Sequence, residues 1–177
     1  VMVARAQVDP AAFTALYDRF FPRVYSYIRY RVHDGDVAAD LTADVFERAY
    51  QHLHRYDSQR AAFSTWLFTI AQNTMKNHFR RQTLRQWLPL DWLVEQPSGA
   101  QPPEVAVAET EQLAELLTAL QTLTEREREI IALKFGASMP NTQIAAVLGL
   151  SEANVGVILY RTVRKLKDVL GGGDHHD

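Results

Sequence analysis

Between Asp57 and Asp91 the chain has no acidic residue, yet it carries Arg60, Lys76, Arg80, Arg81 and Arg85 there, interleaved with Phe63, Trp66, Asn73 and Asn77. Cations attract phosphates, amides pair with base edges, and an aromatic ring stacks on an unpaired base, a contact worth about 1–3 kcal/mol. Pulling a base out of a duplex costs a few kcal/mol, so several such contacts acting together can hold an opened strand. Trp66 also has a plainer reading as a satellite core contact, because Ile70 lies beside it on the helical wheel. A second set stands near the C-terminus, in the order Ser151, Glu152, Ala153, Asn154, Val157, Tyr160, Arg161, Arg164, Lys165 and Lys167. Small and apolar residues come first and cations later. A helix that reads duplex DNA needs that order, with base edges met at its N-terminal end and phosphates further along. Cations near a helix C-terminus also follow from the helix dipole alone, so the surrounding elements must decide.

Those elements are legible. Thr124-Glu125-Arg126-Glu127 is a capping box. The helix it opens carries Ile130, Ile131 and Leu133 and is expected to stop at Gly136 in the left-handed conformation. A short helix, Thr142 to Leu148, should end at Gly149, and Ser151 should cap a last helix, Glu152 to Leu170. On that helix Val155, Ile158, Leu159, Thr162, Leu166 and Leu170 share the face expected to be buried, while Ala153, Val157, Tyr160, Arg161, Arg164 and Lys167 project outward. Two helices joined by a tight Gly-containing turn are the form in which many proteins place a helix in a major groove.

The first half is helical too. Asp9-Pro10 is a helix start, and Phe13, Leu16, Tyr17 and Phe20 recur at helical spacing. Pro22 is expected to interrupt or kink that pattern before Val24, Tyr25 and Ile28 resume it. After a turn at His33 to Asp36, the spacing of Leu41, Val45, Ala49 and Leu53 predicts another helix, on which Asp40 and Asp44 form a carboxylate pair four residues apart. Asp57 to Gln59 is a break, and Phe63 to Arg85 is a long helical stretch. Its Leu67, Ala71, Met75 and His78 turn inward, and its Trp66, Asn73, Asn77 and Arg80 turn outward. Pro89, Pro97-Ser98-Gly99 and Pro102-Pro103 mark a linker, after which Leu113, Leu116, Leu117, Leu120 and Leu123 open a second unit. No β-alternation of any length appears, so the fold class is all-α. The expected divisions are a domain over 1–86, an acidic Pro-rich linker over 87–112, a domain over 113–170 and a tail over 171–177.

Composition sets the outer bounds. The chain has 177 residues, 47% hydrophobic, enough for one or two modest cores. With no cysteine it can make neither disulfides nor thiolate metal sites, which suits a reducing cytoplasm. No apolar run approaches the roughly 20 residues of a membrane span, so no membrane insertion is expected. The N-terminus does not read as a signal peptide. The net charge of −2 argues weakly against nucleic acid, but its distribution reverses that impression. From Gln86 to Glu125 there is no Lys or Arg, while Asp91, Glu95, Glu104, Glu109, Glu111, Glu115 and Glu125 fall there, so an acidic strap separates two basic segments. Catalysis is not expected. His33, His52, His54 and His78 lack a matching carboxylate or ligand spacing, no glycine-rich phosphate loop exists, and His175-His176 sits in a Gly-rich tail. No metal site and no cofactor is expected.

The motifs resemble those of bacterial RNA polymerase sigma factors of the extracytoplasmic-function (ECF) group. Asp40-Leu41-Thr42-Ala43-Asp44-Val45-Phe46 and Phe63-Ser64-Thr65-Trp66-Leu67-Phe68-Thr69-Ile70-Ala71 resemble that group's region two. Leu123-Thr124-Glu125-Arg126-Glu127-Arg128-Glu129 and Ile144-Ala145-Ala146-Val147-Leu148-Gly149-Leu150-Ser151 resemble its region four. The resemblance implies a protein that binds core polymerase, through the beta-prime clamp helices and the beta flap, and guides it to promoter DNA. Region four would read the minus-thirty-five element as duplex, through Ser151, Glu152, Ala153, Asn154, Val157, Tyr160, Arg161, Arg164 and Lys165. Region two would melt and capture the minus-ten element through Arg60, Phe63, Trp66, Asn73, Lys76, Asn77, Arg80 and Arg81, with a flipped base held at the loop from Tyr56 to Ala62. Asp40, Leu41, Asp44, Val45 and Phe46 match the main polymerase-docking surface. An anti-sigma partner is implied, together with a compact, inactive state held by that partner or by the domains themselves. The chain departs from the usual pattern in having Ala43 and Asp44 where glutamine and glutamate are common, and Gly156 and Ile158 where lysine and arginine are common. A DNA-binding regulator that never touches polymerase is the alternative, and it leaves the acid-free helix unexplained.

Overall fold

The computed structural model describes residues 2–87 and 111–171, and among these there is helix but no strand. The expected linker and tail fall almost wholly outside them, as do Asp91, Glu95, Glu104, Glu109 and His175-His176. Helix α1 (Met2–Ala6) leads through a short 3-10 turn (Pro10–Ala12), capped by the Asp9 carboxylate on Ala11 N at 3.0 Å, into α2 (Phe13–Arg29). Pro22 does not end α2, which runs on for another seven residues. Pro22 is exposed, so its ring faces solvent and the cost is confined to one missing hydrogen bond. Asp34 caps α3 (Gly35–His52), its Oδ1 accepting from Asp36 N at 2.8 Å and Val37 N at 3.1 Å. The 25-residue α4 (Phe63–Trp87) follows the Tyr56–Ala62 loop.

Packing in this half is aromatic. Phe46 of α3 receives the rings of Phe13, Tyr17 and Phe21 from α2, with centroids 6.5, 4.7 and 6.2 Å away. Leu67, Ala71 and Met75 of α4 are fully buried, as the periodicity predicts; Phe68, outside that expected face, is fully buried too, and His78 is only half-buried.

In the second half α5 (Glu111–Gln121) meets α6 (Glu125–Ile131) at the capping box, where Thr124 N donates to Glu127 Oε2 at 2.8 Å and Glu127 N to Thr124 Oγ1 at 3.3 Å. Arg128 reaches back and donates to the carbonyls of Leu120, Gln121 and Leu123, at and just beyond the end of α5, where helical partners run out. The helix widens into a π-turn at Ala132–Gly136. The expected left-handed Gly136 is not found. Ser138 takes the positive φ instead, at 52°. Gly136 is needed for another reason: a Cβ there would stand 3.0 Å from Ser26 O and from Tyr27 N and Cα. The second half therefore lies directly against α2, and the buried apolar side chains of both halves form one contiguous cluster. Helix α7 (Asn141–Leu148) ends at Gly149 with φ 66°, the left-handed stop expected there, and α8 (Glu152–Gly171) departs at a bend of 106°. That angle lies in the range of DNA-binding helix-turn-helix units.

Candidate nucleic-acid and polymerase interface

Helix α8 exposes what the wheel places outward. Ala153, Asn154, Val157, Tyr160, Arg161, Arg164 and Lys167 are open to solvent, as are Ser151 and Glu152 at the helix start. Ser151 Oγ accepts from Asn154 N at 3.2 Å and fixes that start. Inward, Val155, Leu159, Thr162 and Leu166 are buried and Ile158 is half-buried, but Leu170 is exposed because the helix outruns the body it packs on. The Arg164 guanidinium lies 5.8 Å over the Tyr160 ring, a contact that aims the cation without neutralising it. Lys165 differs from its neighbours: it is half-buried and pairs with Glu127 Oε2 at 3.2 Å. A Cβ on Gly156 would meet nothing within 4 Å, so the glycine answers no steric demand. Beside Tyr160 lies an open groove of about 340 Å³ lined by Lys134, Phe135, Leu159, Tyr160, Val163, Arg164 and Lys167.

Helix α4 presents Asn73, Lys76, Arg80 and Arg81 to solvent, with Asn77 half-buried beside them. Phe63 and Trp66 are placed differently. Phe63 is buried against Phe20, with centroids 5.2 Å apart, and Trp66 is half-buried against Phe63 and Tyr56 at 5.5 and 5.4 Å. These rings wall the start of α4, and Trp66 keeps one part of its surface open. Its packing is the plainer reading of that residue. The adjoining loop is fastened at both ends. Tyr56 Oη donates to Ala61 O at 3.0 Å, and the Gln7 amide donates to Leu53 O and to Tyr56 O, both at 2.9 Å. Burial, followed by the nearby Asp57 carboxylate, raises the Tyr56 phenol above its usual value, so it stays protonated and able to donate. Arg60 is almost wholly exposed and pairs loosely with Asp57 at 3.5 Å. Sequence reasoning missed Gln7, which lies on no periodic face and meets its partners 46 and 49 residues away.

On α3, Asp40 and Asp44 are exposed on one face, whereas Leu41, Val45 and Phe46 are buried and hold that face in place from beneath. Among the described residues there is no group of three His, Cys, Asp or Glu placed to hold a metal ion, and no single helix is long and apolar enough to cross a membrane.

A helix-turn-helix with an exposed basic recognition face, fused to a helical body with a second basic face, defines a DNA-binding class of protein. The particular family follows from comparison with known proteins. Residues 16–85 match sigma-70 region 2 and residues 113–166 match sigma-70 region 4. The ECF RNA polymerase sigma factor BldN of Streptomyces coelicolor is 34% identical over 96% of this chain, which spans 64% of that protein's length. The ECF RNA polymerase sigma factor SigX of Bacillus subtilis is 30% identical over 88% of this chain and 81% of its own. Among solved structures, CnrH in complex with the cytosolic domain of CnrY is 26% identical with a TM-score of 0.71, covering 97% of this chain and 96% of its own. The chain belongs to the ECF RNA polymerase sigma factors.

Proposed function

We propose that this protein binds core RNA polymerase and directs it to promoters, acting in the cytoplasm as an initiation factor and not as a catalyst. The observation that carries this reading is the pairing of two exposed basic helices, α4 and α8, on segments that match regions 2 and 4. Arg161, Arg164 and Lys167 contact duplex phosphates, while Ala153, Asn154 and Val157 meet base edges upstream. Asn can pair with adenine, and a valine methyl can touch a thymine methyl. Asn73, Lys76, Asn77, Arg80 and Arg81 hold the opened downstream strand, and the edge of Trp66 borders the base pocket built on the Gln7-fastened loop. Phe63 serves that pocket as its wall. Asp40 and Asp44 meet basic residues of the polymerase clamp over the rigid base of Leu41, Val45 and Phe46. Lys165 contributes less to DNA than Arg164 does, because Glu127 already offsets its charge. CnrH was solved with a protein partner, and we propose that this chain too has an inhibitory protein partner. In-vitro transcription with core polymerase tests the function: promoter-dependent transcripts should require the chain, and their absence on every promoter tried would overturn the reading.

A further inference from the structure

The exposed face of α8 holds more carbon than a purely electrostatic DNA contact needs. Ala153, Val157, Tyr160, Arg164 and Lys167 recur at helical steps of four and three, so they form one stripe along the helix. On it Val157 is 48% exposed and Tyr160 is 66% exposed. A single exposed valine is ordinary on a protein surface. Two large apolar side chains one turn apart, just ahead of a run of cations, are placed to meet something. Arg161, Arg164 and Lys167 are exposed beside them, and that charge matches a polyanion, so the occupant of the stripe is duplex DNA and not an apolar peptide. From Glu152 to Tyr160 the helix has neither Lys nor Arg; its first cation is Arg161.

That absence decides what the stripe can read. In the major groove guanine shows two acceptors, O6 and N7, and Arg or Lys is their commonest partner. Neither stands in the turns that meet base edges. Glu152 can only accept, and so suits a base amino group; Asn154 can pair with N6 and N7 of adenine. Ser151 Oγ already accepts from Asn154 N at 3.2 Å. The Val157 side chain has no polar atom at all. A carbonyl or amino edge pressed against it would give up water and gain no hydrogen bond, whereas a pyrimidine C5 methyl gives up nothing polar. Gly156 beside it adds a second sign. Glycine weakens a helix interior, and a Cβ here would meet nothing within 4 Å, so no packing inside the chain calls for it. Its missing side chain lets a base edge come close to the backbone next to Val157.

We propose that α8 reads pyrimidine C5 methyl groups in the major groove, with Val157 as the specificity-determining residue, Ala153 and the Tyr160 ring flanking it, and Gly156 giving the clearance. Thymine and 5-methylcytosine carry that methyl at the same place on the groove floor. The inference rests on the sigma-factor reading above and names what its upstream duplex must contain. Reading a single methyl needs a stripe held to within about 0.5 Å, and α8 is seated that firmly. Val155, Leu159, Thr162 and Leu166 bury its opposite side, and the Arg164 guanidinium lies 5.8 Å over the Tyr160 ring. Helix α8 packs on α6, and α6 is pinned to the first half by a buried polar group. Arg31, its side chain 1% exposed, donates from Nη1 to Glu129 Oε1 at 2.9 Å and to Tyr27 Oη at 3.1 Å, and Tyr27 Oη donates to Glu129 Oε1 at 3.2 Å.

Selection of duplexes from a random pool by core polymerase carrying the full chain, followed by resynthesis of the selected element, tests this. The positions that Val157 reads are those whose preference relaxes in Val157→Ala, a variant that should keep its helicity because the valine is exposed and alanine is the better helix former. Deoxyuridine in place of thymine there removes the methyl and nothing else, and should weaken binding about fourfold per methyl. Val157→Ala should bind the thymine and uracil duplexes alike, since the contact is already gone. Cytosine and 5-methylcytosine at the same positions separate the two sources. The methylated base should bind about fourfold more tightly than cytosine; tighter binding than thymine as well would make it the ligand, and weaker binding would leave thymine in that place. Gly156→Leu, which fills the clearance, should bind roughly tenfold more weakly with helicity retained. Equal binding of thymine and uracil duplexes by the unaltered chain would overturn the proposal, as would undiminished binding by Gly156→Leu. A methyl-dependent element from which the polymerase starts no transcript would overturn the sigma-factor reading alone, and a pool that yields no element would overturn both.

Discussion

Replacing Arg164 with alanine should weaken duplex binding in a way that salt reveals. Arg164 is exposed, its guanidinium is aimed by the Tyr160 ring, and no carboxylate pairs with it among the described residues. Together with Arg161 and Lys167 it gives α8 three open cations, so binding should release about three counterions and the log–log salt slope should be about −2.7. Raising salt from 50 to 200 mM would then weaken the unaltered protein about 40-fold. Without Arg164 the slope should fall to about −1.8 and the loss to about 12-fold. The defect should be the same for every upstream sequence, because a phosphate contact carries no base information. The assay is fluorescence anisotropy of an upstream-element duplex with the polymerase–sigma complex over a salt series. An unchanged slope would show that Arg164 does not face DNA. A defect confined to one sequence would place it on a base edge instead.

Lys76→Ala and Arg80→Ala should leave closed-complex formation intact but slow promoter opening, seen as delayed permanganate reactivity of thymines. A premelted template should restore initiation to these variants and not to Arg164→Ala; equal rescue of both would refute the division of labour between α4 and α8. Charge reversal at both Asp40 and Asp44 should weaken binding to core polymerase by at least tenfold, with circular dichroism unchanged, since both are exposed and cap nothing. Gln7→Ala removes two hydrogen bonds to the Leu53 and Tyr56 carbonyls and should slow opening several-fold while upstream duplex affinity holds; equal loss in both steps would make Gln7 a general stability residue. Glu127 is held below its ordinary carboxyl value, chiefly by the Thr124 backbone N–H and then by the Thr124 hydroxyl and Lys165, against the opposing effect of burial. Its stabilisation is thus complete above its ordinary value of 4.5 and is lost as pH falls through the lower folded value. Glu127→Gln should cost about 1 kcal/mol at neutral pH and flatten the denaturant-midpoint profile on the acid side; an unchanged profile would refute that origin.

Local signals in the sequence were accurate where the physics is local. The Thr124–Glu127 box, the left-handed Gly149, the Ser151 cap and the outward face of α8 each depend on neighbours within one or two turns, and each is found. What was missed depends on residues far apart in sequence. Gly136 reads as a helix stop, but its lack of a Cβ is used by Tyr27, 109 positions earlier. No periodicity marks Arg31 and Glu129, whose buried pairing joins positions 98 residues apart. Phe63 and Trp66 carry the aromatic character of strand binding, yet their ring contacts with Phe20 and Tyr56 could not be seen along one helix. Pro22 reads as a break, and its exposed position lets α2 continue.

The Tyr27–Arg31–Glu129–Gly136 contact has a consequence for how such chains diversify. Two DNA-reading halves joined by a linker look interchangeable, and exchanging the second half is an obvious way to acquire a new upstream preference. Here the halves carry a matched set of residues that no DNA contact uses: a hydroxyl and a guanidinium on one side, a carboxylate and a missing side chain on the other. A hybrid that inherits Arg31 without Glu129 leaves a buried cation without its buried carboxylate. One that inherits Tyr27 opposite a residue larger than glycine at position 136 cannot seat its α2. Such hybrids would still carry the promoter-reading faces of both parents but would have lost the fit between halves, so inheritance at positions 27, 31, 129 and 136 is expected to be joint.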